Sequence, residues 1–161
     1  MQETLFAEIV RKYQKQLLVI AIHICQNQYD AEDMVQEAFL KLYAKNPRFQ
    51  SEAHLRSWLI RVTVNRCRDL LRSPVRKHLS LIEEDAILTQ PDETALAVSE
   101  AVRSLPEKYR EVVILYYYAD CSTAEIAKLL HRRTGTVQVQ LTRARELLKD
   151  RLKEVWEDES T

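Results

Sequence analysis

The sequence predicts an all-α fold: two small helical domains joined by an acidic linker, the second ending in a helix-turn-helix. Three observations carry that expectation. A chain of 161 residues with one glycine and four prolines leaves little room for a turn-rich β fold, and no window shows the alternation and β-branched density of a sheet. Apolar residues, 46% of the total, recur instead at three- and four-residue steps. Charge is also segregated, although the formal net charge is zero. From Arg48 to His78 there are eight Lys or Arg against two Asp or Glu; from Leu79 to Glu100 there are six acids and no Lys or Arg. Local sign matters more than the sum when a partner is a groove of phosphates. The chain length suits one or two domains, and Ser73-Pro74 marks the division: a domain over 1–73, a linker over 74–93 and a domain over 94–161.

The first helix is drawn by Leu5, Ile9, Tyr13, Leu17, Ile20 and Ile24, an apolar line at helical spacing. It should end in Gln26-Asn27-Gln28. Asp30 is expected to cap a second helix, D-A-E-D-M-V-Q-E-A-F-L-K-L-Y. Its inward face is Ala31, Val35, Ala38, Phe39 and Leu42; Asp30, Asp33, Gln36, Glu37 and Lys41 face outward. Acids in a first turn suit the helix dipole, so an ordinary solvated face accounts for them as readily as a binding surface does.

A loop from Lys45 to Glu52 presents Arg48 and Phe49, and H-L-R-S-W-L-I-R-V-T-V-N-R-C-R-D-L-L-R follows. On a wheel of about 100° per residue, Arg61, Asn65, Arg68 and Arg72 fall within roughly 60° of one another. Leu55, Leu59, Val62 and Leu70 occupy the opposite side. Such a stripe can serve solubility alone. It also has what a phosphate-tracking surface needs, guanidinium forks with an amide among them. Trp58 flanks the stripe and is expected to pack in the core. Arg66 projects into the apolar arc, so a carboxylate partner is expected for it.

The acidic stretch up to about Asp92 has no long periodic pattern and reads as a tether. A helix from Glu93 or Thr94 to Ser104 leads to Pro106, at a first helical position where its missing N–H costs nothing. Val112, Val113 and Leu115 to Tyr117 form the apolar part of that helix, and Asp120-Cys121 breaks it. Ser122 and Glu125 make a capping box ahead of Ile126, Ala127, Leu129 and Leu130. After the turn His131-Arg132-Arg133, Thr134 is expected to cap a long last helix. Its buried line is Val137, Leu141, Ala144, Leu148, Leu152 and Val155, with Gln138, Val139, Thr142 and Arg143 opposite; the stretch from Trp156 onward is expected to fray. Two helices across so short a turn describe a helix-turn-helix, whose second helix enters the DNA major groove. Spacing alone also admits a plain helical hairpin with a solvated outer face.

Some functions are excluded. Cys25, Cys67 and Cys121 are odd in number and far apart, and the four histidines lack ligand spacing, so neither a disulfide frame nor a metal site is expected. No signal peptide is visible, and Leu17–Ile24 is too short to span a bilayer. There is no Gly-rich phosphate loop, no H-E-x-x-H and no convergent Ser/His/Asp or Cys/His set. The expectation is a non-enzyme without cofactor or small-molecule substrate.

The strings L-P-x-x-x-R-x-V, S-x-x-E-I-A-x-L-L and x-G-T-V-x-x-x-L-x-R-A-R, in that order, resemble domain 4 of bacterial sigma factors of the extracytoplasmic-function (ECF) group. D-A-E-D-x-V-Q-E-A-F resembles the ECF segment that docks on the β′ clamp helices of RNA polymerase, and W-L-I-R-V-T-V-N resembles the region that recognises and opens the −10 element. The likeness runs from Leu5 to Leu152. It implies a cytoplasmic promoter-specificity subunit that contacts the β′ clamp helices and β flap of core polymerase and promoter DNA. It further implies an anti-sigma factor, often membrane-anchored. By this resemblance Asp33, Gln36 and Glu37 meet polymerase. Arg48, Phe49, Arg61, Asn65, Arg68 and Arg72 act at −10, and Thr136, Gln138, Val139, Thr142 and Arg143 act at −35. One departure concerns the recognition helix, which reads G-T-V-Q-V-Q where members commonly read G-T-V-K-S-R; another is His131, in a turn position usually held by glycine. The competing class is a stand-alone helix-turn-helix regulator. A LuxR-type effector domain resembles the C-terminal part almost as well, but leaves the D-A-E-D helix and the arginine stripe unexplained.

Overall fold

The computed structural model describes residues 1–73 and 93–160, with side chains described for 1–73 and 96–154. Of the expected linker, 74–93, residues 74–92 lie outside this, as does the side chain of Val155; its last residue, Glu93, already begins a helix. The described elements are α1 (Glu3–Cys25), α2 (Gln28–Lys45), α3 (Glu52–Arg72), α4 (Glu93–Arg103), α5 (Glu107–Val113, extended by a π-helical turn Ile114–Tyr118), α6 (Thr123–Leu130) and α7 (Thr134–Ser160). They fall into two compact units, Met1–Ala86 and Ile87–Thr161.

In the first unit α1, α2 and α3 all pack on one another. Leu17, Ile20, Ala21, Ala31, Ala38, Leu42, Leu59, Ile60 and Cys67 are almost completely buried between them. Small Ala31 and Ala38 let the helices approach while the Leu and Ile side chains fill the gaps, each such burial contributing about 1.5–3 kcal/mol. Buried Thr63 satisfies its hydroxyl by donating to the Leu59 carbonyl at 2.8 Å. Leu5 departs from the expected line, at 48% exposed. Its neighbour Phe6 makes the contact instead, its ring edge-on to Phe39 at 6.4 Å and Tyr43 at 5.0 Å. The cap of α2 is also corrected. Asn27, not Asp30, holds the capping position, and its side chain accepts from the Asp30 N–H at 3.0 Å. Gln26 joins α1 to that cap in the left-handed conformation (φ 58°).

In the second unit α7 packs against α4, α5 and α6. Val137, Leu141 and Ala144 are buried along it, and Leu148 and Leu152 are half-buried. Pro106 stands just before α5, so that helix opens at Glu107. The π turn ends at Tyr118 and is capped by Ala119, after which Asp120 takes the left-handed conformation (φ 54°). The capping box is present in both directions: Glu125 N–H to Ser122 Oγ at 3.1 Å and Ser122 N–H to Glu125 Oε1 at 3.3 Å. Helix α7 starts one residue earlier than expected, since the Val137 N–H already donates to the Arg133 carbonyl at 3.1 Å. It runs on through Trp156 to Ser160 where fraying was expected. Among the described residues no helix is long and apolar enough to cross a membrane.

Candidate functional site

The first surface is the outer face of α2. Because α2 turns Ala31, Met34, Val35, Ala38 and Leu42 into the core, Asp33 and Gln36 are left exposed and Glu37 half-exposed. Glu37 accepts from Arg66 of α3, Nε to Oε2 at 2.6 Å, with an Arg66 Nη2 contact to the same oxygen. This is the carboxylate partner expected for Arg66. Both side chains are more than a third exposed, so the pair stabilises by at most about 1 kcal/mol.

The second surface is α3 with the loop before it. Ser51 caps the helix, accepting from the His54 N–H at 3.1 Å. Glu52, in the first turn, ties α3 to α1 by accepting from Tyr13 Oη at 2.9 Å and from Lys12. With Leu59, Ile60, Val62, Val64 and Cys67 buried, the stripe is turned away from the core: Arg61 and Arg72 exposed, Asn65 and Arg68 half-buried. Arg48 is exposed beside the half-buried Phe49. The Phe49 ring stands edge-on to His54 at 5.2 Å and to Trp58 at 5.8 Å. Trp58, three residues before Arg61, is half-buried and packs against the loop rather than deep in the core. That aromatic contact makes loop and stripe one continuous surface. Behind it, the Cys67 thiol is pushed well above its ordinary range by its hydrogen bond to Cys25 and by burial. It is therefore an inert, neutral core group.

The third surface is the start of α7. Thr136, Gln138, Thr142 and Arg143 are exposed, and Val139 is 56% exposed. The Thr142 hydroxyl donates back to the Gln138 carbonyl at 3.0 Å, which leaves its oxygen as an acceptor only. A Cβ added at Gly135 would meet nothing within 4 Å. Nothing inside the protein therefore requires a glycine there, and the helix start stays open to a close partner. Gly135, Thr136, Val139 and Arg143 line a shallow groove with Lys108 and Tyr109 of α5.

Sequence reasoning missed two features here. Arg145, two residues after Arg143, is turned onto the π turn. Its Nε donates to Tyr117 Oη at 2.7 Å, and its guanidinium lies 5.1 Å from the Tyr116 ring centre. The second feature is Glu111, only 4% exposed, which accepts from Arg132 Nη2 at 2.6 Å. An acid inside the apolar run R-E-V-V-I-L was the available signal, because a carboxylate enclosed that way needs a cationic partner.

Two helical units, each with one buried face and a polar outer face, are the arrangement that the family comparisons assign to the sigma-70 class. The family model of sigma-70 region 2 matches residues 9–77, and that of sigma-70 region 4 matches 95–148. The ECF RNA polymerase sigma factor SigM of Mycobacterium tuberculosis is 33% identical over 144 residues, covering 87% of this chain and 73% of its own. SigW of Bacillus subtilis is 28% identical over 168 residues, covering 93% and 90%. Among solved structures, the fold is similar to the sigma factor RpoE in complex with the anti-sigma factor NepR from Bartonella quintana. The TM-score there is 0.77 at 23% identity, over 92% of this chain and 96% of that one. CnrH, solved with the cytosolic domain of CnrY, gives a TM-score of 0.67 at 22% identity over 95% and 90%. The chain belongs to the ECF RNA polymerase sigma factors.

Proposed function

We propose that this sigma factor joins core polymerase through α2 and reads promoter DNA with two surfaces, α3 at −10 and α7 at −35. Asp33, Gln36 and Glu37 offer an acidic and amide face to the β′ clamp helices, and the second unit meets the β flap. Arg61, Arg68 and Arg72, with Arg48 from the loop, follow phosphates. Asn65 and Phe49 handle unstacked bases of the −10 element, an amide for hydrogen bonds and a ring for stacking. On α7, Gln138 pairs with an adenine edge and the Val139 methyl groups with a thymine methyl, so the −35 element shifts toward A·T at those steps. Thr136, Thr142 and Arg143 hold the flanking backbone. The work is recognition and strand separation in the cytoplasm, with no catalytic group, cofactor or small-molecule substrate. An anti-sigma factor that covers these surfaces keeps the chain idle, as NepR is found in complex with RpoE.

The observation that carries this reading is the stripe. Four polar side chains share one face of α3, whose other face is the core of the first unit, on a segment matched to sigma-70 region 2. In vitro transcription with core polymerase and a promoter library tests it. Run-off from templates that share a −35 and a −10 element is expected. DNA binding without any association with core enzyme overturns it in favour of a stand-alone regulator.

A further inference from the structure

The two glutamines that set the recognition helix apart are not equivalent in space. The Gln138 side chain is exposed, whereas Gln140 is half-buried and its Oε1 accepts from Arg132 Nη1 at 3.0 Å. The same nitrogen lies 3.3 Å from the Lys108 carbonyl, and Nη2 is the one held by Glu111 at 2.6 Å. One planar guanidinium thus joins α5, the turn and α7. It is well shielded, with the Arg132 side chain 18% exposed and that of Glu111 5%. The turn delivers it. His131 takes the left-handed conformation (φ 56°), and the Arg132 N–H then closes on the Ala127 carbonyl at 2.9 Å.

We propose that Arg132 is a positioning residue for −35 recognition: it clamps Gln140 to Glu111, sets the pose of α7 against α5, and leaves Gln140 without a base to read. The proposal rests on the reading of α7 as the −35 helix. Its chemistry is that of a rigid fork. A guanidinium has five donors fixed in one plane, so an acceptor on α7 and a carboxylate on α5 bound to the same group are fixed relative to each other. Adenine recognition by an amide uses both its oxygen and its nitrogen. In Gln140 the oxygen is committed to Arg132. A lysine or arginine at 140 would place a second cation about 3 Å from Arg132 and be repelled, so the amide at 140 and the arginine at 132 go together. Base reading then falls to Gln138 and Val139, at an angle that the clamp dictates.

The test uses the full chain with core polymerase on promoters randomised at −35. Arg132→Leu takes a cation from the buried Glu111 and risks the fold, so the cycle uses Arg132→Lys, which keeps a cation for Glu111 but loses the fork. Arg132→Lys and Gln140→Leu should each weaken the −35 preference by roughly fivefold, and together no more than either alone, because coupled residues are not additive. Helicity and the salt slope should stay as in the parent. Gln140→Glu keeps an acceptor for the fork and should retain the parent preference unchanged. A glutamate that met a base edge would instead favour cytosine. A shift toward cytosine at one step, or additive losses in the cycle, overturns the clamp while the −35 reading stands. If the parent chain enriches no −35 sequence at all, that reading fails and the clamp falls with it.

Discussion

On α3, Arg61, Asn65, Arg68 and Arg72 share a face turned away from a three-helix core, whereas in the C-terminal unit Arg132 and Arg145 are folded back onto Glu111, Gln140 and Tyr117. The same side chain therefore serves two ends. A guanidinium on an open helix face can displace counterions from phosphate, which yields affinity that falls with salt and carries no sequence information. Arg132, enclosed between helices, is withdrawn from that role and holds Gln140 and Glu111 instead, whereas Arg145 meets Tyr117 while its side chain stays exposed. In the first unit the stripe arginines lie on an outward face of α3, whereas in the second, one arginine, Arg132, is enclosed while Arg143 stays exposed beside Gln138 and Val139.

The largest effect is expected where neither kind of arginine acts. Reversing Asp33 and Glu37 to lysine should abolish co-purification with core polymerase while circular dichroism is unchanged. Asp33 is a surface substitution worth less than about 0.5 kcal/mol. At position 37 the exposed pair with Arg66 is replaced by an exposed like-charge contact, each worth at most about 1 kcal/mol. Normal core binding by the double variant would remove α2 from the polymerase contact.

Next comes the arginine stripe. Arg61, Arg68 and Arg72 changed together to alanine should reduce the log–log salt slope of promoter binding by about 2–2.7, roughly a hundredfold in affinity near physiological salt. Gln138, Val139 and Thr142 changed together to alanine should leave that slope where it is and alter which −35 sequences bind. Equal loss of slope from both triples would break the contrast between the units.

Gln138→Lys sharpens the same contrast from the other side. A point charge on the exposed start of α7 should raise affinity for all sequences, add up to about 0.9 to the slope and flatten the A·T preference. An increase confined to one −35 sequence would mean that position 138 still reads a base.

Much of this was legible in the sequence because helical period is a strong signal: all three helices of the first unit and the helix-turn-helix follow from it. A carboxylate partner for Arg66 was also legible, although the residue lies exposed rather than inside the apolar arc; which carboxylate was not, because Glu37 lies 29 residues away and period says nothing across elements. Asn27 and Asp30 are both good caps in the series N-x-x-D, and only the backbone shows that Asn27 holds the position. Leu5 continues the apolar line of α1 yet stays exposed, because Phe6 docks on Phe39 and Tyr43 in its place. The clamp was least legible. Arg132 reads as a polar turn residue until Glu111 and Gln140, 21 and 8 residues distant, are brought to it.

The smallest effect separates the units by stability rather than by binding. Burial holds the His23 imidazole below its ordinary value of 6.5, partly offset by its hydrogen bond with the Val19 carbonyl, to which Nδ1 stands at 2.8 Å. Such a group binds its proton more readily in the unfolded chain. Its contribution to stability is therefore full above about pH 6.5, where both states are neutral. It is lost as pH falls below that value toward the lowered folded-state pKa, because the unfolded state takes up the proton first. His23 lies in α1, so this acid sensitivity belongs to the first unit. Trp58 lies in the first unit and Trp156 in the second, so variants that keep a single tryptophan report each unit by fluorescence. In urea titrations the Trp58 midpoint should drop between pH 7.5 and 5.5 in the parent, and drop less in His23→Gln, whose amide can still donate to Val19 but does not titrate. The Trp156 midpoint should be indifferent to that substitution at either pH. An equal acid shift at Trp58 with and without His23 would mean that the sensitivity of the first unit comes from its carboxylates, with the buried imidazole adding nothing.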